Sequence, residues 1–236
     1  MSGHSKWSTI KRKKQAADQE RSKLFSKLSR LITVAVRVGG GVDEDKNVTL
    51  RLALHQAKAA NMPKDTINRA IDKARGGEGE SLSEVVYGAF GPYNTALIVD
   101  ATTDNSNRTH AEVRGVIERA GGKMGSAGSV MYLFNKCGIV VIKKSKIDEK
   151  AIFVLAEALS ALDIESEGDE YELYIPFQNI GDVHEKLGGV APEEVGVCYR
   201  SKTPIKLTKE QDRKLEKLID SLTNLDDVHN VFVNTA

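Results

Sequence analysis

The sequence is poor in the residues that mark secreted, disordered or membrane-spanning proteins. Its 236 residues include 2 cysteines, 5 prolines and 1 tryptophan. Cys137 and Cys198 have no CxxC spacing, so they fit a reducing compartment, and we expect a cytoplasmic protein. Few prolines argue against long disordered segments. The longest apolar runs, such as residues 139–142, are far shorter than the roughly 20 residues of a membrane span. No apolar segment follows the basic start, so we expect no secretory signal.

Side-chain patterns typical of catalysis or metal binding are also lacking. The five histidines are scattered, and none stands in an HExxH spacing. Residues 43–47 begin like a calcium loop, but Val48 and Leu54 replace its glycine and its final glutamate. The glycine-rich residues 121–129 match neither the P-loop nor the dinucleotide spacing. We therefore expect no enzyme activity, no cofactor and no bound metal.

Positive charge is concentrated at the amino terminus, although the whole chain has a net charge of +1. Residues 1–37 contain ten Lys/Arg and two Asp/Glu; residues 1–75 have a net charge of +10 and residues 76–236 one of −9. Such an excess of positive charge is destabilised by self-repulsion, and binding to a polyanion relieves it. An exposed Trp7 among lysines can also stack on a base. The alternatives are a solvated tail that favours solubility and, for Trp7, an apolar contact with the first helices.

We interpret the basic part as a nucleic-acid-binding region. The acidic remainder should then face solvent or a basic protein surface. The candidate contacts are basic or aromatic side chains in or before the first helices. They are His4, Lys6, Trp7, Lys11, Arg12, Lys13, Lys14, Arg21, Lys23, Lys27, Arg30 and Lys64.

Apolar residues at a 3.6-residue spacing predict that the first part is helical. The glycines at 39–41 end the first helix, and Pro63 follows the second. A Gly-rich linker at 76–79 places a domain boundary there. The predicted helices span about residues 16–38, 47–60 and 64–75.

After the linker the period changes to two, which indicates strands. Residues 84–90 and 95–101 form a hairpin around the turn at 91–94. Thr109 and Glu112 predict a capping box at the start of the next helix. Further strands are predicted near residues 129–134 and 138–143.

Residues 138–202 have the order β-α-β-β-α-β of a ferredoxin-like fold, with its second helix over 177–187. A last helix, capped by Thr208 with Gln211, and a strand over 228–233 lack local partners, so we expect them to complete the region 84–134. The predicted fold is α+β: a three-helix bundle and two ferredoxin-like α/β domains, the second inserted into the first. The predicted domains are residues 1–77, residues 78–135 with 204–236, and residues 136–203.

One interior loop is a second candidate site. Asn105, Asn107 and Arg108 come just before a predicted helix, whose free N–H groups and dipole favour anions. We interpret them as an anion-binding or partner-binding loop. The alternative is a local turn and helix cap, because Asn and Asp bond to their own backbone there.

Short motifs spread in order over most of the chain carry a family resemblance. The sequence is similar to the YebC family, which includes the mitochondrial translational activator of cytochrome c oxidase. It departs from the family pattern at Tyr93-Asn94-Thr95, where glycines are usual. The motifs are Gly3-His4-Ser5-Lys6-Trp7, Ile10-Lys11, Ile32-Thr33-Val34-Ala35, Gly39-Gly40-Gly41, Ala59-Ala60-Asn61-Met62-Pro63-Lys64-Asp65, Gly91-Pro92, Thr103-Asp104-Asn105, Asn107-Arg108-Thr109 and Gly128-Ser129-Val130.

The resemblance implies one helical and two α/β domains, no enzyme activity, and a role in regulating gene expression. Family members are described as DNA-binding transcriptional regulators and as translation factors that help ribosomes through runs of proline. We favour a ribosome-associated factor that binds ribosomal RNA or tRNA, because no helix-turn-helix recognition helix stands out and basic residues with an aromatic suit irregular RNA. A DNA-binding regulator is the alternative. We expect no membrane and no small-molecule substrate.

Overall fold

The structure is a computed structural model that describes residues 18–76 and 82–235. The first part contains helices α1 (Asp18–Val38), α2 (Val48–Ala59) and α3 (Lys64–Arg75), which confirms the three predicted helices. Their apolar faces share one core, which includes Ile32 and Leu54. No helix in these two ranges is long and apolar enough to span a membrane.

Asn47 fixes the turn between α1 and α2. Its side-chain oxygen accepts from the Leu50 N–H at 2.9 Å, and its amide group donates to the carbonyls of Ala35 and Gly41 at 2.8 and 2.7 Å. A Cβ on Gly39 would lie 2.2 Å from the Asn47 side chain, so this close approach requires glycine. The predicted glycine stop therefore ends α1 and also makes room for the cap of α2.

We expect residues 1–77 to fold as a separate fragment. The core of α1, α2 and α3 is a cluster of its own, distinct from those around the sheets, although a domain this small is marginal. The fragment should give a cooperative loss of helical circular dichroism on heating. Absence of amide protection in hydrogen exchange would place the domain boundary elsewhere.

The rest of the chain forms two antiparallel sheets with helices on their outer faces. The elements, in chain order, are β1 (Ser83–Phe90), β2 (Ala96–Thr103), α4 (Ser106–Arg119), β3 (Lys123–Gly125), α5 (Ala127–Met131), β4 (Phe134–Lys143), α6 (Glu149–Ala158), β5 (Asp163–Glu167), β6 (Glu170–Pro176), α7 (Val183–Lys186), β7 (Glu194–Ser201), α8 (Lys209–Thr223) and β8 (Val228–Val233).

The carboxy terminus completes the first sheet, whose order is β3-β1-β2-β8. Strand β8 pairs antiparallel with β2, so that Leu97 faces Val233 and Val99 faces Val231. Helices α4 and α8 cover one face through residues such as Ile117 and Leu218. The predicted capping box of Thr208 and Gln211 is present at the start of α8.

The second sheet, of order β5-β6-β4-β7, is the inserted ferredoxin-like unit. Helices and turns cover its outer face, whereas its inner face packs on the first sheet. The apolar layer between the two sheets contains Ile98 and Phe232 from the first and Ile139 and Tyr174 from the second. The predicted fold class, including the insertion, is confirmed. The insertion shares a core with the domain that receives it.

Two predicted secondary-structure elements differ from the structure. Residues 127–131 are the short helix α5 instead of a strand, because this turn of helix places Val130 over Gly88, where a Cβ would lie 2.7 Å from the valine. The predicted helix at 177–187 is a 3₁₀ segment over Phe177–Asp182 followed by α7. The 3₁₀ segment holds Ile180 in the core in this tighter geometry, and Val183, the first residue of α7, joins the same core.

Candidate nucleic-acid interface

The predicted contacts nearest the amino terminus lie outside the described residues. The structure describes the side chains of only five of the candidates in the basic region. These are Arg21, Lys23, Lys27, Arg30 and Lys64; the others are His4, Lys6, Trp7, Lys11, Arg12, Lys13 and Lys14.

Arg21, Lys23 and Lys64 are exposed. Arg21 also lines a shallow depression between α1 and α3, together with Phe25 and Thr66. Exposed cations of this kind can reach a ligand from solvent. Arg21 and Lys23 therefore form an exposed basic surface near the beginning of α1, next in sequence to the basic residues that precede the helix.

Lys27 and Arg30, two further candidates on α1, contact the body of the protein. The Lys27 ammonium donates to the carbonyls of Thr223 and Val228 at 2.7 and 2.8 Å. Thr223 ends α8, where a positive charge meets the negative end of the helix dipole. Arg30 forms an ion pair with the carboxylate of Asp227. These two side chains therefore fix α1 to the α8–β8 turn, and any role in nucleic-acid binding stays a prediction.

The second candidate loop converges on the same carboxylate. Arg108 donates from Nη2 to Asp227 at 2.9 Å and to Asp104 at 2.6 Å. The Thr109 hydroxyl donates to the same oxygen as Arg108, Asp227 Oδ2, at 2.5 Å, whereas Arg30 pairs with Oδ1. We call Arg30, Arg108, Thr109 and Asp227 the Asp227 junction. It joins α1, α4 and the α8–β8 turn through a carboxylate whose side chain is 3 % exposed.

The predicted Thr109 cap is wrong. Helix α4 begins at Ser106, and Asn105 is its N-cap, with its side-chain oxygen accepting from the Arg108 N–H at 3.1 Å. Thr109 lies inside the first turn and is buried. Its hydroxyl is 2.7 Å from that of Thr103 and also bonds to Asp227. Helix α4 thus starts earlier than predicted, because the Thr109 hydroxyl bonds to Thr103 and Asp227 in a buried polar cluster instead of capping the helix.

The electrostatics of the junction favour the ionised carboxylate. Burial alone would raise the pKa of Asp227, but the hydrogen bonds from Thr109 and Arg108 and the charge of Arg30 lower it below its usual range. The hydrogen bond to Asp227, followed in size by the one to Asp104, raises the pKa of Arg108. Asn107 is exposed beside them. An external anion at this loop would have to compete with two carboxylates for Arg108.

His229 makes this junction sensitive to acid. Its Nε2 is shielded from solvent and has no hydrogen-bond partner among the described residues. Burial, followed by the charges of Lys27 and Arg30, lowers its pKa to about 3, despite the opposing charge of Asp227. Its ordinary pKa is about 6.5. The histidine is therefore neutral in the folded protein at pH 7.

We expect stability to fall as the pH drops below about 6.5, because the unfolded chain then binds a proton that folded His229 does not. This loss should continue down to about pH 3. His229→Gln should flatten the dependence in that window. Urea midpoints at a series of pH values would measure it, with the exposed His184→Gln as control. Equal slopes in all three proteins would contradict the assignment.

Within residues 18–76 and 82–235, no group of three or more His, Cys, Asp or Glu side chains is placed to hold a metal ion. The only cysteines, Cys137 and Cys198, lie 2.9 Å apart between their sulfurs in the layer between the sheets. Asp227 is not among the residues that the sequence patterns predict to be functional. The one sequence feature that could have pointed to it is the acidic pair Asp226-Asp227, which lies between a capped helix and a strand without a local partner.

Comparisons with known proteins cover nearly the whole chain. Residues 5–77 match the model of the "TACO1/YebC protein N-terminal domain", and residues 82–235 match that of the "TACO1/YebC second and third domain". A probable transcriptional regulatory protein of Thermoanaerobacter pseudethanolicus is 42% identical over 99% of this chain and 96% of its own length. One of Borrelia duttonii is 44% identical over 99% and 97%.

A solved structure has the same fold. The crystal structure of a conserved hypothetical protein from Aquifex aeolicus superposes with a TM-score of 0.88 at 38% identity, covering 98% of this chain and 97% of that one. The names of the two bacterial relatives describe regulatory proteins instead of enzymes. By its family-model matches and its full-length relatives, this chain belongs to the TACO1/YebC family.

Proposed function

We propose that this protein is a non-enzymatic, nucleic-acid-binding regulator of gene expression. It acts in the cytoplasm as a ribosome-associated translation factor that relieves stalling at runs of proline. Its target is ribosomal RNA or tRNA, bound mainly by the basic amino-terminal region. The proline-run activity follows from the family resemblance, and the nucleic-acid binding follows from the charge distribution.

The division of charge along the chain carries this proposal. Residues 1–75 have a net charge of +10 and the remainder has one of −9. Lys27 and Arg30 hold one side of α1 on the body, whereas Arg21 and Lys23 remain exposed at its beginning. A fixed helix that presents cations can contact phosphates, because the ordering cost of the helix is already met by internal contacts.

RNA is favoured over duplex DNA by the kind of surface present. Readers of the DNA major groove place side chains from one recognition helix on base edges. The described helices of the basic part bury their apolar faces in a shared core and carry scattered exposed cations. Such a surface suits an irregular RNA, which is recognised by shape, phosphates and stacking. The acidic domains suit a ribosomal surface that also carries basic proteins.

Two experiments test the proposal. In cell extract, the full-length protein should sediment with ribosomes, and moderate salt should release it. In a reconstituted translation system, it should raise the yield of a reporter that contains a proline run and leave a matched reporter with alanine codons unchanged. A protein that raises both yields equally, or neither, does not relieve proline stalling.

A DNA-binding transcriptional regulator is the second candidate. The names of the relatives from Thermoanaerobacter pseudethanolicus and Borrelia duttonii favour it. In the same extract, such a protein would follow DNA and leave that fraction after DNase treatment. RNase treatment would leave its sedimentation unchanged. Treatment with each nuclease in turn therefore separates the two functions.

A further inference from the structure

Exposed aromatic side chains and lysines occur together around α5, far along the chain from the basic amino terminus. Phe90, Met131 and Tyr132 are 39%, 37% and 64% exposed. Lys123 and Lys202 are exposed as well. We call these five residues the α5 aromatic surface. Single exposed apolar residues are common on proteins, but here three large ones lie in or beside one short helix.

Pairing and packing bring these residues together. Phe90, at the end of β1, lies directly opposite Lys123 on the outermost strand β3. The ring of Phe90 lies beside Gly125, where a Cβ would be 3.4 Å from the ring and 2.5 Å from the Ser129 hydroxyl. Because residue 125 is glycine, the Phe90 ring and the Ser129 side chain of α5 can both lie close to strand β3 at this position. Ser129 and Tyr132 are three residues apart, about 5 Å along the helix axis.

Lys202 completes the other end of this surface. The side-chain ammonium of Lys202 donates to the Tyr132 carbonyl at 2.9 Å, and its backbone N–H donates to the Leu133 carbonyl at 2.9 Å. These bonds tie the end of β7 to the residues that follow α5. A positive charge is thus held beside the exposed Tyr132, as Lys123 stands beside Phe90. Each of the two exposed aromatic residues therefore has a lysine as a neighbour, Phe90 through strand pairing and Tyr132 through its carbonyl.

We infer that the α5 aromatic surface binds unpaired bases of single-stranded RNA, with Tyr132 and Phe90 stacking on the bases and Lys123 and Lys202 contacting the phosphates. Aromatic rings next to a basic track are the usual arrangement for single strands, because every base has a stacking face and every nucleotide carries a charge. This inference rests on the proposed function and adds a second contact to it. The basic amino-terminal region supplies charge, and this surface supplies selectivity for unpaired bases.

The test measures binding of a fluorescein-labelled single-stranded RNA of about 12 nucleotides, a length within the range that such proteins cover. Tyr132→Ala should weaken binding by roughly tenfold and leave the salt dependence unchanged, because it removes stacking and no phosphate contact. Tyr132→Phe keeps the ring and should bind like the wild type. Phe153→Ala, which truncates a 56% exposed ring on α6, is the matched control and should have no effect.

Two further arms separate this surface from the basic region. Lys202→Gln should lower the salt slope by roughly one unit. Against a duplex of the same sequence, Tyr132→Ala should bind as the wild type does. If Tyr132→Ala binds the single strand normally while replacement of Lys11, Arg12, Lys13 and Lys14 by alanine weakens binding, the α5 aromatic surface is not a binding site, although the protein binds nucleic acid. If the wild type binds neither probe, the proposed nucleic-acid function and this inference both fail.

Discussion

Asp227→Asn should destabilise the protein by about 2–3 kcal/mol, because it leaves three donors around one site without their carboxylate. The side chain of Asp227 is 3% exposed and accepts from Arg30, Arg108 and Thr109. Breaking a fully buried ion pair costs more, but Arg30 and Arg108 are 34% and 42% exposed and can turn to water. The urea midpoint should fall without a change in slope.

Its neighbour provides a matched control. Asp226 is exposed, and its side chain has no part in the junction. Asp226→Asn removes the same charge one residue away and should change stability by less than about 0.5 kcal/mol. Equal midpoints for the two variants would show that the junction adds nothing to folding. The Asp227→Asn variant should also lose less stability on acidification. It lacks the carboxylate whose lowered pKa in the wild type contributes stability that is present above pH 3.8 and is lost as the pH falls below it.

Changing Lys11, Arg12, Lys13 and Lys14 together to alanine should weaken nucleic-acid binding more than any other change of equal size. Each phosphate contact contributes to the salt dependence, so losing four should lower the slope of log K against log salt by roughly three units for a single strand and four for a duplex. Fluorescence anisotropy over a range of salt concentrations measures the slope. An unchanged slope would identify these residues as a solvated tail.

A second quadruple variant controls for the loss of charge itself. Lys206, Lys209, Arg213 and Lys217 are exposed residues in or before α8. Their replacement by alanine removes the same four charges and should change the slope much less. Equal losses in the two variants would mean that the protein attracts nucleic acid only through its net charge. A larger loss in the amino-terminal variant supports a local site.

Local sequence signals were sufficient for most of the elements. The bounds of α3 and β8 agree with prediction to the residue, since a proline or a clear period marks each of them. The capping box at Thr208 is confirmed because both of its partners lie within one turn. The unpaired final helix and strand predicted that the carboxy terminus would complete the first sheet. An apolar strand without a local partner must find one elsewhere.

Local signals failed where a distant residue decides the conformation. The Thr-x-x-Glu pattern at 109–112 is a sound capping sequence, yet Asp227, 118 positions further on, binds the Thr109 hydroxyl instead. Residues 129–134 are apolar enough for a strand, but the gap above Gly88 accepts a turn of helix. Short apolar runs fit either state, so packing chooses between them.

The sequence by itself determined the domain classes, the amphipathic helices and the uneven distribution of charge, because these depend on composition and on spacing along the chain. Only the tertiary structure decided how the cations are used. Arg21 and Lys23 stay exposed, whereas Lys27, Arg30 and Arg108 are drawn to the α8–β8 turn. A lysine or arginine on a helix looks the same in sequence whether it meets solvent or a carboxylate nearly 200 residues away. Its partner is fixed by the docking of whole domains, which no local pattern encodes.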